Sequence, residues 1–375
     1  MRYLTALRRS DIFARVLLFC SLLVAAGVTP PVAAEVFPFQ LTVVSNQTDH
    51  HSWAAASHLA EVAAGQGLKI KPALAVRSGG QNSHAVSAPE LLVMPLRSLA
   101  TQVPALEVLE LPFLFSDIES IHQAFADELG DLLREQTRQR GWELLALWDE
   151  GMQMLSGNRR YDRVINLTGM EFILLRPDPV AEKQFHAFDA WSRSARPQTR
   201  EQLLRECMIG SRAATLSRLW HERLDRVHLA LSLSTHRYEG WVVIAPLTSW
   251  NRRSEQERAR LRKALSAMRD WQRADARQRE KEALQQFETA GMQIYRLRAE
   301  QREEFAKRLP AWETLLSDSV PLALRKKLVA AATAGVSRGA SAHKASLQAK
   351  PATPARQSDD SPGRERIHQR AGREP

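Results

Sequence analysis

Apolar positions along the chain change period repeatedly, and each change marks a boundary between strand and helix. Residues 39–45 read as a first strand. A helix over 53–64 follows, with Asn46, Thr48 and Asp49 as capping candidates and Gly65-Gln66-Gly67 as its stop. Residues 68–76 predict a second strand, 78–83 a loop and 91–94 a short third strand. The run LELPFLF at 109–115, broken by Pro112, reads as a strand edge leading through a short loop. Ile118, Ile121, Phe125, Leu129, Leu132 and Leu133 then recur at helical spacing, predicting one helix over 118–138. Gly141 ends it, with Arg138 and Arg140 beside the negative end of its dipole. Residues 142–148 are almost continuously apolar, as in a strand buried on both faces.

The alternation resumes past Gly151. Residues 170–175 read as a strand stopped by Pro177 and Pro179; helices are predicted over 181–191, 199–209 and 214–223, and strands over 227–234 and 240–245. A long charged helix spans 254–290, opened by a capping box from Ser254 to Glu257. Leu261, Leu265, Met268, Trp271, Ala274 and Leu284 are its expected inward positions. A strand over 292–297 and a helix over 300–315, interrupted near Pro310, complete the pattern. From Gly335 onward Ala, Ser, Pro, Lys and Arg dominate without an aromatic residue, which predicts disorder. Strands alternating with helices indicate an α/β fold.

Composition adds constraints. A chain of 375 residues, 44% hydrophobic and 25% charged, is long enough for two lobes with ordinary cores. Arg2, Arg8, Arg9 and Arg15 precede the apolar run 16–28, and Val32-Ala33-Ala34 offers a cleavage site before Glu35; residues 1–34 read as a secretory signal peptide. The net charge of +10 is spread through mixed Arg/Glu helices, with part of it in the leader and tail, so no nucleic-acid partner is expected. After cleavage only Cys207 remains, read as a buried thiol. His51 and His58 are two helical turns apart, too far to share an ion, and His221 and His228 lack ligand neighbours. Ser78-Gly79-Gly80 lacks the Lys-Ser/Thr of a phosphate loop, and no G-x-S-x-G elbow is present. Neither catalytic residues, nor a metal, nor a cofactor is expected.

From LPFLF through the helix, its glycine, the strand ending Trp148-Asp149-Glu150 and Gly151, the chain resembles the solute-binding proteins of TRAP (tripartite ATP-independent periplasmic) transporters. The order of charged helix, glycine, short strand and closing helix continues the resemblance, which covers residues 37–313. It implies a two-lobed periplasmic-binding-protein-like fold with mostly parallel sheets and a hinge. On that basis lobe 1 takes 35–150 with part of 240–315 returning, lobe 2 takes 151–239, and 240–334 supplies hinge strands, the long helix and closing helices; a disordered basic tail takes 335–375. It also implies a periplasmic receptor that closes on an organic-acid-like ligand and delivers it to a TRAP-type permease.

Several positions depart from the family pattern. Ile173 stands where a strand arginine usually binds a ligand carboxylate. Arg176, three positions later, points to the other side unless the strand ends first. Gln153 replaces another arginine, and Gly210-Ser211-Arg212-Ala213 replaces a Gly-Gln-Glu-Asn turn. The stretch 76–89 is short for a ligand-contacting helix. The expected ligand residues are therefore Arg212, Gln153, Trp148, Arg176, His236 and Tyr238, although Trp148 suits a core equally well and Arg212 suits an exposed helix end. The alternative is a receptor-derived interaction protein that uses its surface or basic tail on a protein or anionic membrane partner.

Overall fold

The computed structural model of the chain describes residues 39–44, 51–75, 90–196 and 199–348. The leader, the caps at 46–49, the stretch 76–89 and the tail past 348 lie outside the described residues. Among the described residues there are nine strands: β1 (Phe39–Val44), β2 (Ile70–Ala75), β3 (Leu91–Pro95), β4 (Trp142–Gly157) and β5 (Glu171–Leu174), then β6 (Trp191–Ser194), β7 (Ser211–Ala214), β8 (Ala230–Pro246) and β9 (Gln293–Arg296). Two compact units divide the chain. Unit 1 takes Met1–Pro95, Gly141–Trp148 and Trp241–Asp275; unit 2 takes Leu96–Arg140, Asp149–Gly240 and Ala276–Pro375. Residues 96–140, which the sequence assigned to lobe 1, thus group with unit 2. β4, β8 and the long helix each contribute to both units.

In unit 1, β1 runs parallel to β2 and β3, and β3 pairs antiparallel with the end of β8, Leu92 opposite Ile244 and Pro95 opposite Trp241. Side chains alternate along a strand, so Phe39, Leu41 and Val43 share one buried face. They pack with Leu59 of the helix His51–Ala64, Leu261 and Met268 of the helix Glu255–Thr289, and Trp148, Trp241 and Trp250. The long helix turns Leu261, Leu265, Met268, Gln272 and Ala276 inward, steps of three and four residues, with Ala264 beside them on the same face. Trp271 and Ala274 fall off that stripe and are exposed, contrary to expectation; Trp271 stacks on His58 with ring centroids 4.2 Å apart. Ser254 and Glu257 form the expected capping box.

In unit 2 the ladder runs β4-β7-β5-β6, with β7 antiparallel to β4 and parallel to β5, and β9 joins β8. The pairing is mixed in both units. Phe172 stacks on Phe185 at 4.0 Å and Phe113 on Phe305 at 5.5 Å, forming the aromatic centre of this core.

Four local expectations change. Pro104–Glu110 is a 3-10 helix and LPFLF lies in turns, because a continuous apolar run buried all round does not distinguish strand from helix. The predicted 118–138 helix is two helices, Ile118–Ala126 and Glu128–Gln139, separated by the extended backbone of Asp127. The two strands expected over 227–245 are one: His236, Arg237 and Tyr238 interrupt the apolar pattern but find polar partners inside unit 2. Finally, Leu322–Gln348 is helical through Gly335, where disorder was expected. Ala331, Ala332 and Gly335 allow this helix to lie close on Ile118–Ala126, and a Cβ at Gly335 would stand 2.5 Å from Ala124 Cα.

Candidate functional site

Charged side chains from separate segments of unit 2 gather into two adjoining groups. The first is almost completely buried. Arg97 Nη2 pairs with Glu110, and its Nη1 lies 3.2 Å from Asp178. Arg237 Nη2 lies 2.8 Å from Asp178, and its Nε donates to the Glu110 carbonyl at 2.8 Å. Burial pushes the Glu110 and Asp178 carboxyls up, against the pull of Arg97. Asp178 also caps the helix Pro179–Ala187, accepting from the Ala181 N–H at 3.0 Å. The connection between β5 and that helix is therefore anchored by two arginines as well as a cap.

Arg176 sits in this anchored connection. β5 ends at Leu174, so Arg176 escapes the strand's alternation and is not forced to the opposite face. Its Nη1 donates to Ser98 Oγ at 3.1 Å, and the residue is exposed. Partial burial and then the like charge of Arg218 lower its pKa. Ile173, at the usual arginine position, is fully buried in the core.

The second group surrounds Arg218. This guanidinium pairs with Glu150 and lies 3.9 Å from Glu239. Burial works against its charge, but Glu150 and Glu239 hold its pKa above the ordinary arginine value. Glu239 accepts from the Thr215 N–H at 3.3 Å. Glu280 accepts from the N–H groups of Leu216 at 3.2 Å and Ser217 at 2.9 Å, facing the start of the helix Leu216–His221. Burial raises Glu280 to about 7. Gly151 makes room for it, since a Cβ there would stand 2.8 Å from the Glu280 carboxylate.

The remaining sequence-predicted residues are placed elsewhere. Arg212 lies on β7, not in a turn, and forms a buried pair with Glu222 at 2.9 and 3.1 Å while Nη1 donates to the Ala213 carbonyl. Trp148 belongs to the apolar core of unit 1. Gln153 is buried in β4. His236 is fully buried, 2.7 Å from Ser234 Oγ, and burial followed by Arg302 takes its pKa down to about 3. The Tyr238 hydroxyl donates to Asp149 at 2.8 Å, and His122 Nε2 lies 2.9 Å from the same carboxylate. Of the six, only Arg176 presents an exposed cation. Sequence reasoning missed Arg97, Asp178, Arg218 and Arg237; the polar interruption of the β8 pattern was the signal for Arg237, and the others carried none. Burial raises the Cys207 thiol to about 12, making it a poor nucleophile.

Residues 76–315 match the model of the family described as DctP, bacterial extracellular solute-binding protein, family 7. The C4-dicarboxylate-binding periplasmic protein DctP of Rhodobacter capsulatus is 26% identical over 212 residues, 56% of this chain and 61% of that protein. The chain spans roughly three fifths of the length of the curated relatives it matches. Among solved structures, a TRAP periplasmic solute-binding protein from Ochrobactrum anthropi aligns with a TM-score of 0.70 at 22% identity, covering 84% of this chain and 99% of that one. Another from Shewanella oneidensis, with bound succinate, aligns with a TM-score of 0.67 at 18% identity, covering 80% of this chain and 100% of that one. At these identities the structural likeness establishes the two-lobed fold of this class.

Proposed function

The chain belongs to the bacterial extracellular solute-binding protein family 7, a family of receptors and not of enzymes, and we propose that it captures a small organic acid for a TRAP-type permease. One observation carries the choice of ligand class: Arg176 stands exposed beyond the end of β5, on a backbone segment anchored by Arg97, Arg237 and Asp178. A carboxylate leaving water needs a cation held in place, and a guanidinium supplies two parallel donors that remain charged. Arg212, paired with Glu222, is already committed. Ser98 beside Arg176 supplies a further hydroxyl for the ligand. The R. capsulatus relative is named for C4-dicarboxylates and the S. oneidensis protein holds succinate, which supports an organic acid here.

In this reading residues 1–34 direct export and the mature protein works in the periplasm. Binding shifts the receptor toward a ligand-stabilised conformation that the permease recognises. No step requires bond making by the chain's own residues. Among the described residues, no helix is long and apolar enough to cross a membrane. Titration calorimetry of the purified protein against a panel of small carboxylates and their uncharged amides tests the reading. Saturable binding of at least one carboxylate, absent for its amide, is the expected result; uniform silence across the panel contradicts it.

A further inference from the structure

The charge balance around Arg176 narrows the ligand beyond "organic acid". Arg97 and Arg237 are matched by Glu110 and Asp178, through contacts of 2.8–3.2 Å and the direct Arg97–Glu110 pair. Arg218 is shared between two carboxylates, Glu150 in direct contact and Glu239 at 3.9 Å, and Glu239 also accepts from the Thr215 N–H. Arg176 has a hydroxyl, Ser98, as its direct partner. The balance is thus one exposed cation, Arg176, and one excess negative charge where Arg218 serves both Glu150 and Glu239, the Glu239 side chain being 22% accessible. Arg176 is two residues from Asp178, which pairs with Arg237 at 2.8 Å, and Arg237 is two residues from Glu239 on β8; both Arg218 and Glu239 act electrostatically on Arg176. Glu280, at the start of the Leu216–His221 helix, adds a further acidic group and no cation.

Resting on the proposed organic-acid reading, we infer that this receptor selects a carboxylate carrying a hydrogen-bond donor or ammonium group at its other end, and discriminates against dicarboxylates. The first carboxylate of a dianion pairs with Arg176, but its second meets Glu239, where no uncommitted guanidinium remains. Placing like charges together in a partly desolvated site is unfavourable, and an uncompensated carboxylate adds its own desolvation. A donor at that end reverses the sign: Glu239 accepts from it. Ile173, buried in the core, supplies no cation at the position where the family pattern has an arginine.

A matched four-carbon series separates the possibilities, because succinate, butyrate, 4-hydroxybutyrate and 4-aminobutyrate differ only at the far end; homologous three- to six-carbon series cover the span. Calorimetry on the full mature protein is expected to rank the amino or hydroxy acid at least about tenfold above the dicarboxylate of equal length, about 1.4 kcal/mol. Glu239→Gln should erase that preference and raise dicarboxylate affinity, with the folded spectrum by circular dichroism unchanged. Tighter binding of the dicarboxylate than of both donor-bearing acids, or an unaltered ranking in Glu239→Gln, overturns the inference while leaving the organic-acid reading standing. Failure of every carboxylate to bind overturns both.

Discussion

The two units place their charges differently. Unit 1 has a core assembled from Leu, Val, Ala, Met, Phe39 and three tryptophans, and its ion pairs, such as Arg253 with Glu90 and Glu257, retain partial exposure. Unit 2 has an aromatic core but also buries Arg97, Glu110, Asp178 and Arg237 together, and it buries the Arg212–Glu222 and His122–Asp149 pairs as well. Apolar burial stabilises in proportion to area and tolerates small rearrangements. A buried ionic group gives little net stability but penalises every geometry except one, because each unpaired charge is costly. Unit 1 therefore relies on packing, whereas unit 2 fixes directions, and the guanidinium proposed to receive the ligand lies on its fixed segment.

Substitutions sharpen this contrast in order of effect. Asp178→Asn keeps the helix cap but leaves two buried arginines sharing Glu110, and is expected to cost about 3–5 kcal/mol in denaturant unfolding. A loss below about 1 kcal/mol would mean the network is solvated and imposes no geometry. Leu59→Ala, in the unit 1 core, should cost about 2–4 kcal/mol through the cavity it leaves, with no change in ligand affinity if unit 1 acts through packing alone.

The pH dependence of unit 2 divides by residue. His236 binds fewer protons folded than unfolded between about 3 and its ordinary 6.5, so its contribution to stability is lost as pH falls through that window. Glu280 binds more protons folded than unfolded between its ordinary 4.5 and about 7, so its contribution is present in acid and lost as pH rises. Thermal unfolding of Glu280→Gln should therefore lose the downward slope between those values, and His236→Asn the upward one; parallel profiles for wild type and variant would remove the assignment. Smallest is Ser254→Ala, which deletes the cap of the long helix and should cost about 1 kcal/mol by the same measurement.

Much of the fold was legible because strands and helices have different periods. β1, β3, the His51–Ala64 helix and the Ser254 cap follow directly from the apolar pattern. Legibility failed where burial was uniform, as at Pro104–Glu110, and where polar residues entered the interior, as along β8. The site was less accessible to sequence. The family pattern pointed to Arg212 by its place after Gly210, yet Glu222, ten residues on, claims it. Arg176 depended on where β5 stops, a boundary that the pattern locates only to within a residue or two. Arg97, Asp178 and Arg237 are distant in sequence, and only the tertiary fold brings them together.

Titration of Arg176→Gln against the tightest-binding carboxylate tests the account most directly. A fall in affinity on the order of a hundredfold, with unfolding stability within about 0.5 kcal/mol of wild type, is the expected result. Wild-type affinity in a folded Arg176→Gln protein would place the carboxylate on another group and contradict it.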